Sequence, residues 1–154
     1  MPNRTDKLRE ALALRASATF FLRSADTLAK AVGDGDFLRG IIFLAIVEAN
    51  VRHLRPGDLL SQTYSEAEDQ MPDDLRRPIS VHALAHELDL PYETTRRHVN
   101  RLMSDGLCIR AVSGMLVPGD VLAREVITDG LRKNFEHLRQ LFSDLRDGGV
   151  DLTP

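Results

Sequence analysis

The fold of this 154-residue chain is decided by residues 80–117, which read SVHALAHELDLPYETTRRHVNRLMSDGLCIRAVSGMLV. Ser80 is a favourable helix N-cap, because its hydroxyl can accept a hydrogen bond from a free backbone N–H. Leu84 and Leu88 follow on one face of that helix, one turn apart. Residues 89–91, Asp-Leu-Pro, predict a tight turn, since Asp tolerates left-handed backbone geometry and Pro suits the first position of a new helix.

A second helix is predicted from Tyr92 to Asp105, and Gly106 can end it in a left-handed C-cap. Its inward-facing residues are predicted to be Thr95, Val99 and Leu102. Two short β-prone runs follow on either side of a Ser113-Gly114 turn and predict a hairpin. Helix, turn, helix and hairpin in this order predict a winged helix-turn-helix, within a mainly α-helical fold.

Residues 83–107, ALAHELDLPYETTRRHVNRLMSDGL, resemble the DNA-reading domain of bacterial GntR-, MarR- and IclR-type transcriptional regulators. The resemblance covers residues 79–117, and residues 41–51 would be the first helix of the same module. Asp89 stands where a turn glycine is usual, and Thr95 stands where the second helix is usually apolar. The insertion between the first and second helices of the module is a larger departure.

The resemblance implies that the second helix enters the major groove of DNA. The residues expected to contact DNA are Tyr92, Thr94, Arg96, Arg97, Asn100, Arg101 and Arg110. Base contacts are expected from Arg96, Arg97 and Asn100, because Arg binds guanine bidentately and Asn suits adenine. The other four are expected to hold phosphates. The alternative is a solvated helix face on which the arginines pair with Glu93 and Asp105.

The net charge of −3 by itself disfavours a nucleic-acid partner, but the charge is unevenly distributed. Residues 58–75 contain six acidic residues and no Lys or Arg. Setting those six of the 23 acidic residues aside leaves 17 against 20 basic residues. DNA responds to a local field, so the acidic segment does not exclude binding. Residues 58–78 predict a loop or mobile linker, and a competing hypothesis is that the run 66–74 mimics DNA and folds back onto the reading domain.

Long helices are predicted on both sides of this module. The first spans residues 5–32, with an apolar stripe at Ala11, Leu14, Ala18, Phe21, Ala25, Leu28 and Val32. Asp36 can cap a second, largely apolar helix over 36–54. The last helix spans 120–146 and carries an apolar seam at Leu131, Phe135, Leu138, Phe142 and Leu145.

These helices predict three regions: 1–35, 36–118 with the acidic insertion 58–78, and 119–154. The first and third are expected to hold a symmetric homodimer together. The alternative is that the seam of the last helix packs only on the chain's own first helix. The sequence leaves open whether a small-molecule effector binds between the long helices.

Other function classes find little support. No nucleophile elbow, phosphate-binding glycine loop or paired-carboxylate motif is present, so we expect neither an enzyme nor a cofactor. His82 and His86 lie one turn apart but lack a third metal ligand, and supporting-helix positions are the favoured interpretation. Cys108 is expected to be an inert buried thiol rather than a redox sensor. A single cysteine, no apolar run long enough to span a membrane and no signal-peptide pattern predict a cytoplasmic location.

The expected function is therefore sequence-specific binding of double-stranded DNA by a transcriptional regulator. The rival hypothesis is a winged helix that binds another protein and does not contact DNA. Low overall basicity favours this rival, whereas the three arginines at 96, 97 and 101 argue against it.

Overall fold

The computed structural model describes residues 3–32, 34–54, 57 and 71–151. Within these residues the chain forms six α-helices, one short 3-10 helix and one two-stranded antiparallel sheet. In chain order they are α1 (Arg4–Val32), α2 (Phe37–Val51), the 3-10 helix (Asp73–Leu75), α3 (Val81–Glu87), α4 (Tyr92–Ser104), β1 (Ile109–Ala111), β2 (Gly114–Leu116), α5 (Gly119–Leu122) and α6 (Glu125–Asp147). The prediction of a mainly helical fold with a small hairpin is confirmed.

Local signals in the sequence place the helix boundaries. Asp36 and Ser80 each accept a hydrogen bond from the backbone N–H three residues further on, at 3.0 and 3.1 Å. Asp89 has a φ of 52° and Gly106 a φ of 65°, so both turns use the left-handed backbone geometry expected of them. Helix α2, however, ends at Val51 rather than at residue 54.

The hydrophobic core lies between α2, α3, α4, the hairpin and the start of α6. Its fully buried apolar side chains are Ile42, Ile46, Leu84, Val99, Leu102, Met115 and Val117. Burying one aliphatic side chain of this size contributes about 1.5–3 kcal/mol, so these contacts fix α4 firmly on the rest of the domain. Helix α1 crosses α2 closely at Gly40, where a Cβ would lie 3.1 Å from the Leu28 side chain.

One buried amide connects α2 to the hairpin. The side chain of Asn50 is fully buried. Its Nδ2 donates to the carbonyl oxygens of Arg77 and Met115, at 2.8 and 3.2 Å, and its Oδ1 accepts from Val117 N at 3.0 Å. Three of the four hydrogen bonds that an amide can make are directed at backbone groups, so Asn50 ties two segments of chain to one helix. The sequence pattern does not single this residue out.

A third segment extends the hairpin. Ile79 and Met115 exchange two backbone hydrogen bonds, at 3.1 and 2.7 Å. Gly114, predicted as a turn residue, lies in β2 instead, and Val112 and Ser113 form the turn. A Cβ at Gly114 would lie 2.4 Å from the Ile79 carbonyl carbon, and its φ of 152° is also unfavourable for other residues. The glycine is therefore needed for close approach of the Ile79 segment, not for the turn.

The prediction of a loop or linker over 58–78 can be compared with the structure over residues 71–78, which are irregular apart from the 3-10 helix. Residues 58–70, which include most of the acidic run 66–74, lie outside the described residues. In the remainder, Met71 is buried and Asp73 Oδ1 accepts a hydrogen bond from Gly119 N at 2.8 Å. The polar composition of the segment does not predict these contacts, which hold it against the start of α5.

The single helix predicted over 120–146 is also corrected, because α5 and α6 are separate helices. Arg124, between them, has an extended backbone with φ −62° and ψ 138°. Its guanidinium donates to the Gly106 carbonyl oxygen at 2.8 Å. The break thus places this side chain against the turn that follows α4. The sequence does not predict this break between α5 and α6, since neither Gly nor Pro occurs at 123–124.

Helices α1 and α6 pack against each other in antiparallel orientation, and this pair is here called the α1–α6 hairpin. Thr27 Oγ1 lies 3.0 Å from His137 Nε2, and a Cβ at Gly130 would lie 2.9 Å from the Ala31 Cβ. Of the five residues of the predicted seam of α6, Leu131, Phe135 and Phe142 are exposed, whereas Leu138 and Leu145 are half-buried. The interpretation that the seam packs only on the chain's own first helix therefore does not account for its three exposed residues. None of the helices in the described ranges is long and apolar enough to cross a membrane.

Candidate functional site

Helix α4 is held by one face, as the sequence predicts. Thr95, Val99 and Leu102 are fully buried, and His98 is almost so. Thr95 Oγ1 donates to the Pro91 carbonyl oxygen at 3.2 Å. This bond satisfies the hydroxyl inside the core and explains why Thr is accepted where an apolar residue is usual.

Polar contacts fix α4 on the start of α2. The buried guanidinium of Arg39 forms an ion pair with Asp105, the C-cap of α4. The Asp36 carboxylate caps α2 and lies 3.6 Å from His98 Nδ1. Neither contact was predicted, since both join residues far apart in the sequence. The Arg39–Asp105 ion pair holds the end of α4, whereas His98 Nδ1 makes no hydrogen bond within the described residues.

The opposite face of α4 is a shallow concave surface of about 490 Å³, here called the α4 face. It is lined by Glu93, Thr94, Arg96, Arg97, Asn100, Arg101 and Ser104. Five of the seven residues predicted to contact DNA lie in it, namely Thr94, Arg96, Arg97, Asn100 and Arg101. Ser104 was missed, although its spacing of four from Asn100 places it on the same side of the helix.

Arg96 is bound within the chain. Its Nε and Nη2 donate to Glu93 Oε2 at 3.0 and 2.8 Å. The hydrogen bond from Arg96 lowers the pKa of the Glu93 carboxyl, and the same bond raises the pKa of Arg96. The predicted pairing with Glu93 is confirmed for this arginine, whereas Asp105 pairs with Arg39 and not with an arginine of α4.

Arg97 and Asn100 are the most available groups of the α4 face. Both are exposed, and neither has a side-chain hydrogen bond or ion pair within the described residues. Arg101 is also exposed, and its Nη1 lies 4.0 Å from Asp36 Oδ2, at the limit of an ion pair. A ligand can therefore bind Arg97 and Asn100 without breaking an existing contact.

Tyr92 and Arg110 lie outside the α4 face. The Tyr92 ring stacks on His82, with ring centroids 4.3 Å apart and an interplanar angle of 22°. Arg110 is exposed on β1, opposite Met115. The structure therefore places these two residues at the start of α4 and on the hairpin, and their predicted phosphate contacts remain predictions.

No group of three or more His, Cys, Asp or Glu side chains in the described ranges could hold a metal ion. His82 instead supports the Tyr92 ring. Cys108 is buried beside α4, and its Sγ lies 4.0 Å from the Val99 carbonyl oxygen. Burial raises the pKa of the Cys108 thiol to about 11, and the nearby Arg110 lowers it by less. This environment fits the predicted inert thiol.

We expect Cys108 to react slowly with a disulfide reagent in the folded protein at pH 8. A thiol with a pKa of about 11 is almost fully protonated at that pH, and only the thiolate attacks. The reaction rate should rise with pH and should rise sharply in urea. Ser113→Cys, which adds a thiol at the exposed turn, is the matched control: one of its two thiols should react fast. Equally fast reaction of both thiols in the folded Ser113→Cys variant would show that Cys108 is accessible.

No family model, curated protein or solved structure matches the chain. The resemblance of residues 83–107 to bacterial regulators therefore remains an interpretation of the sequence.

Proposed function

We propose that the chain is a cytoplasmic transcriptional regulator that binds specific sequences of double-stranded DNA, with α4 in the major groove. The observation that carries the proposal is the α4 face. It exposes three arginines and an asparagine on one side of a helix whose other side is buried in the core. The major groove admits an α-helix, and Arg and Asn have the hydrogen-bonding geometry to distinguish guanine and adenine.

The order of elements supports a winged helix-turn-helix as the scaffold. Helix α2, the Ile79 bridge, α3, α4 and the β1–β2 hairpin follow one another and share one core. In this arrangement α4 is the recognition helix, and the hairpin is the wing that lies beside the DNA backbone. A rigid support matters, because base contacts require the side chains to be held in a fixed register.

The available side chains suggest distinct roles. Arg97 and Asn100 would contact base edges, since they have no partner to leave. Arg96 would join them after exchanging Glu93 for a base or phosphate acceptor. Thr94 and Arg101 would hold phosphates, and so would Tyr92 and the wing residue Arg110.

Glu93 is the one acidic group on the α4 face, and it opposes the phosphate charge. Its pairing with Arg96 neutralises it in the free protein. Separating Glu93 from Arg96 on DNA therefore costs free energy. That cost favours sequences whose bases offer Arg96 a better acceptor than Glu93.

A second candidate function is a protein-binding winged helix without DNA contact. The observation that favours it is the apolar surface of the wing, where Ile109 and Val112 are both exposed. Exposed aliphatic residues would suit a protein partner, because the neighbouring α4 face has one of its three arginines neutralised by Glu93. The three arginines of the α4 face fit this candidate less well.

Selection from a genomic DNA pool tests the proposal. Purified full chain is incubated with random genomic fragments, and bound fragments are sequenced over several rounds. We expect enrichment of fragments that share one short sequence, and a matched pool selected with Arg97→Ala should be enriched more weakly and should lose the preference at one base pair of that sequence. Absence of any shared sequence with the wild-type chain would contradict specific DNA binding and favour the protein-binding candidate.

A further inference from the structure

The α1–α6 hairpin exposes large apolar side chains along one side. Phe135 and Phe142 of α6 are each 57% exposed, and Leu131 equally so. On α1, Leu14 is 74% and Phe21 58% exposed. We call these five residues the apolar flank. Folded monomers seldom expose so many large apolar residues together, and such a surface marks an interaction site.

The other side of the same hairpin is polar. A groove of about 430 Å³ between α1 and α6 is lined mainly by charged and polar residues. Its five Asp, Lys and Arg residues are called the polar flank, namely Arg23, Asp26, Lys30, Asp129 and Lys133. Leu8, Leu22 and Val126 are exposed outside the apolar flank, and Val126 lines the polar groove. The five residues of the apolar flank are therefore a concentration of exposed apolar residues on one side of the pair and not the whole of them.

Helical geometry confirms that the flanks are opposite. A helix turns by about 100° per residue. On α6, the α1-facing line runs through Gly130 and His137, with Lys133 on one side of it and Phe135 on the other. Charged residues of both helices line one groove, and the same step of 100° per residue places Leu14 and Phe21 of α1 on the other side of the α1–α6 contact, beside Phe135.

The size of the apolar flank fits a stable interface. Large apolar side chains have areas of about 150–250 Å² each, so five that are more than half exposed present on the order of 600 Å². Phe37 of α2 extends this surface, since its ring packs edge-on against Phe21 with centroids 6.3 Å apart. A standard interface buries roughly 800 Å² on each partner, which the flank and its rim approach.

The charges along the edge of the seam are already compensated. Three arginines lie beside it at intervals of seven residues, at positions 132, 139 and 146. Each has an acid on the same helix, at 2.6 Å (Asp129), 3.6 Å (Glu136) and 3.3 Å (Asp147). A strongly acidic partner would thus find no unpaired positive row here. Two identical copies, in contrast, can meet along this edge without uncompensated like charges.

We propose that the apolar flank binds the same flank of a second copy of this chain. The two α1–α6 hairpins then form a four-helix bundle about a two-fold axis, which is the commonest symmetry of homo-oligomers. Within each chain α1 stays packed on α6 in this bundle. The dimer contact therefore adds to the packing of α1 on α6 and does not replace it. The inference rests on the apolar flank alone and does not depend on the role of α4.

Analytical ultracentrifugation of the full chain at micromolar concentration tests the proposal. We expect wild type to sediment at twice the chain mass of 17.2 kDa. Phe135→Asp combined with Phe142→Asp should sediment as a monomer of unchanged helicity, because both rings are already solvent-exposed in the single chain. Lys133→Asp is the matched control, since it adds the same charge to the polar flank, and it should remain dimeric.

A wild-type chain that sediments as a monomer overturns the proposal, and so does a double variant that dimerises as wild type does. If circular dichroism shows that the double Asp variant has unfolded, the uncharged Phe135→Gln and Phe142→Gln pair replaces it with the same expectation. Monomeric wild type that still binds a selected DNA sequence would contradict this inference only and leave the proposed function standing.

Discussion

Arg97→Ala is expected to weaken binding to the preferred DNA sequence by roughly 5- to 150-fold, which corresponds to about 1–3 kcal/mol. The guanidinium of Arg97 is exposed on the α4 face and has no partner within the described residues. It can therefore enter the groove without first breaking a bond. Arg96→Ala should cost less, because Arg96 must give up its two-point contact with Glu93 before it binds DNA.

Fluorescence anisotropy with the selected duplex and with single-base-pair variants of it measures this effect. Arg97→Ala should lose discrimination at one base pair and bind the variants of that pair almost equally. Arg23→Ala removes an exposed arginine from the polar flank, far from the α4 face, and should leave the affinity unchanged. If Arg97→Ala and wild type bind all duplexes alike, the assignment of α4 to the groove is wrong.

Asn50→Ala is expected to lower the free energy of unfolding by about 3 kcal/mol or more. The substitution removes three hydrogen bonds, leaves the buried N–H of Val117 without a partner and leaves the carbonyl of Met115 only its bond from Ile79 N. A buried polar group that loses its partner costs about 1–3 kcal/mol, and the lost side-chain volume adds to this. The β1–β2 hairpin should also detach more readily from α2.

Urea denaturation followed by circular dichroism checks this expectation. Both proteins are compared at one concentration, since dimer formation would make stability depend on concentration. Asn100→Ala is the matched control, because Asn100 is exposed on the α4 face and has no hydrogen bond within the described residues. Its stability should lie within about 0.5 kcal/mol of wild type. Equal free energies of unfolding for the two variants would show that Asn50 does not stabilise the β1–β2 hairpin on α2.

Local signals explain why much of the fold could be predicted from the sequence. The caps at Asp36 and Ser80 and the left-handed turns at Asp89 and Gly106 depend only on residues within a few positions. The inward face of α4 follows from its 3.6-residue period. The same period places the arginines on the other face, so most of the candidate site was accessible without a structure.

Non-local contacts explain what the sequence could not predict. Asn50 has partners 27, 65 and 67 residues away, and an isolated asparagine carries no sign of them. The break before α6 depends on Arg124 reaching the Gly106 carbonyl, again across a turn of the fold. The amphipathic pattern of α6 predicts an apolar face but does not indicate how much of it α1 covers. Gly130 and His137 contact α1, Leu138 and Leu145 are half-buried, and Phe135 and Phe142 are exposed.

The dependence of affinity on salt, measured for the selected duplex and for a random duplex of equal length, tests DNA binding by the α4 face most directly. Each phosphate neutralised contributes about −0.9 to the slope of log affinity against log salt concentration. The proposal predicts a slope of several such units and tighter binding of the selected duplex at every salt concentration. Arg101→Ala should make the slope shallower by about one unit for both duplexes. A slope near zero, with equal affinity for the two duplexes, would contradict the proposal.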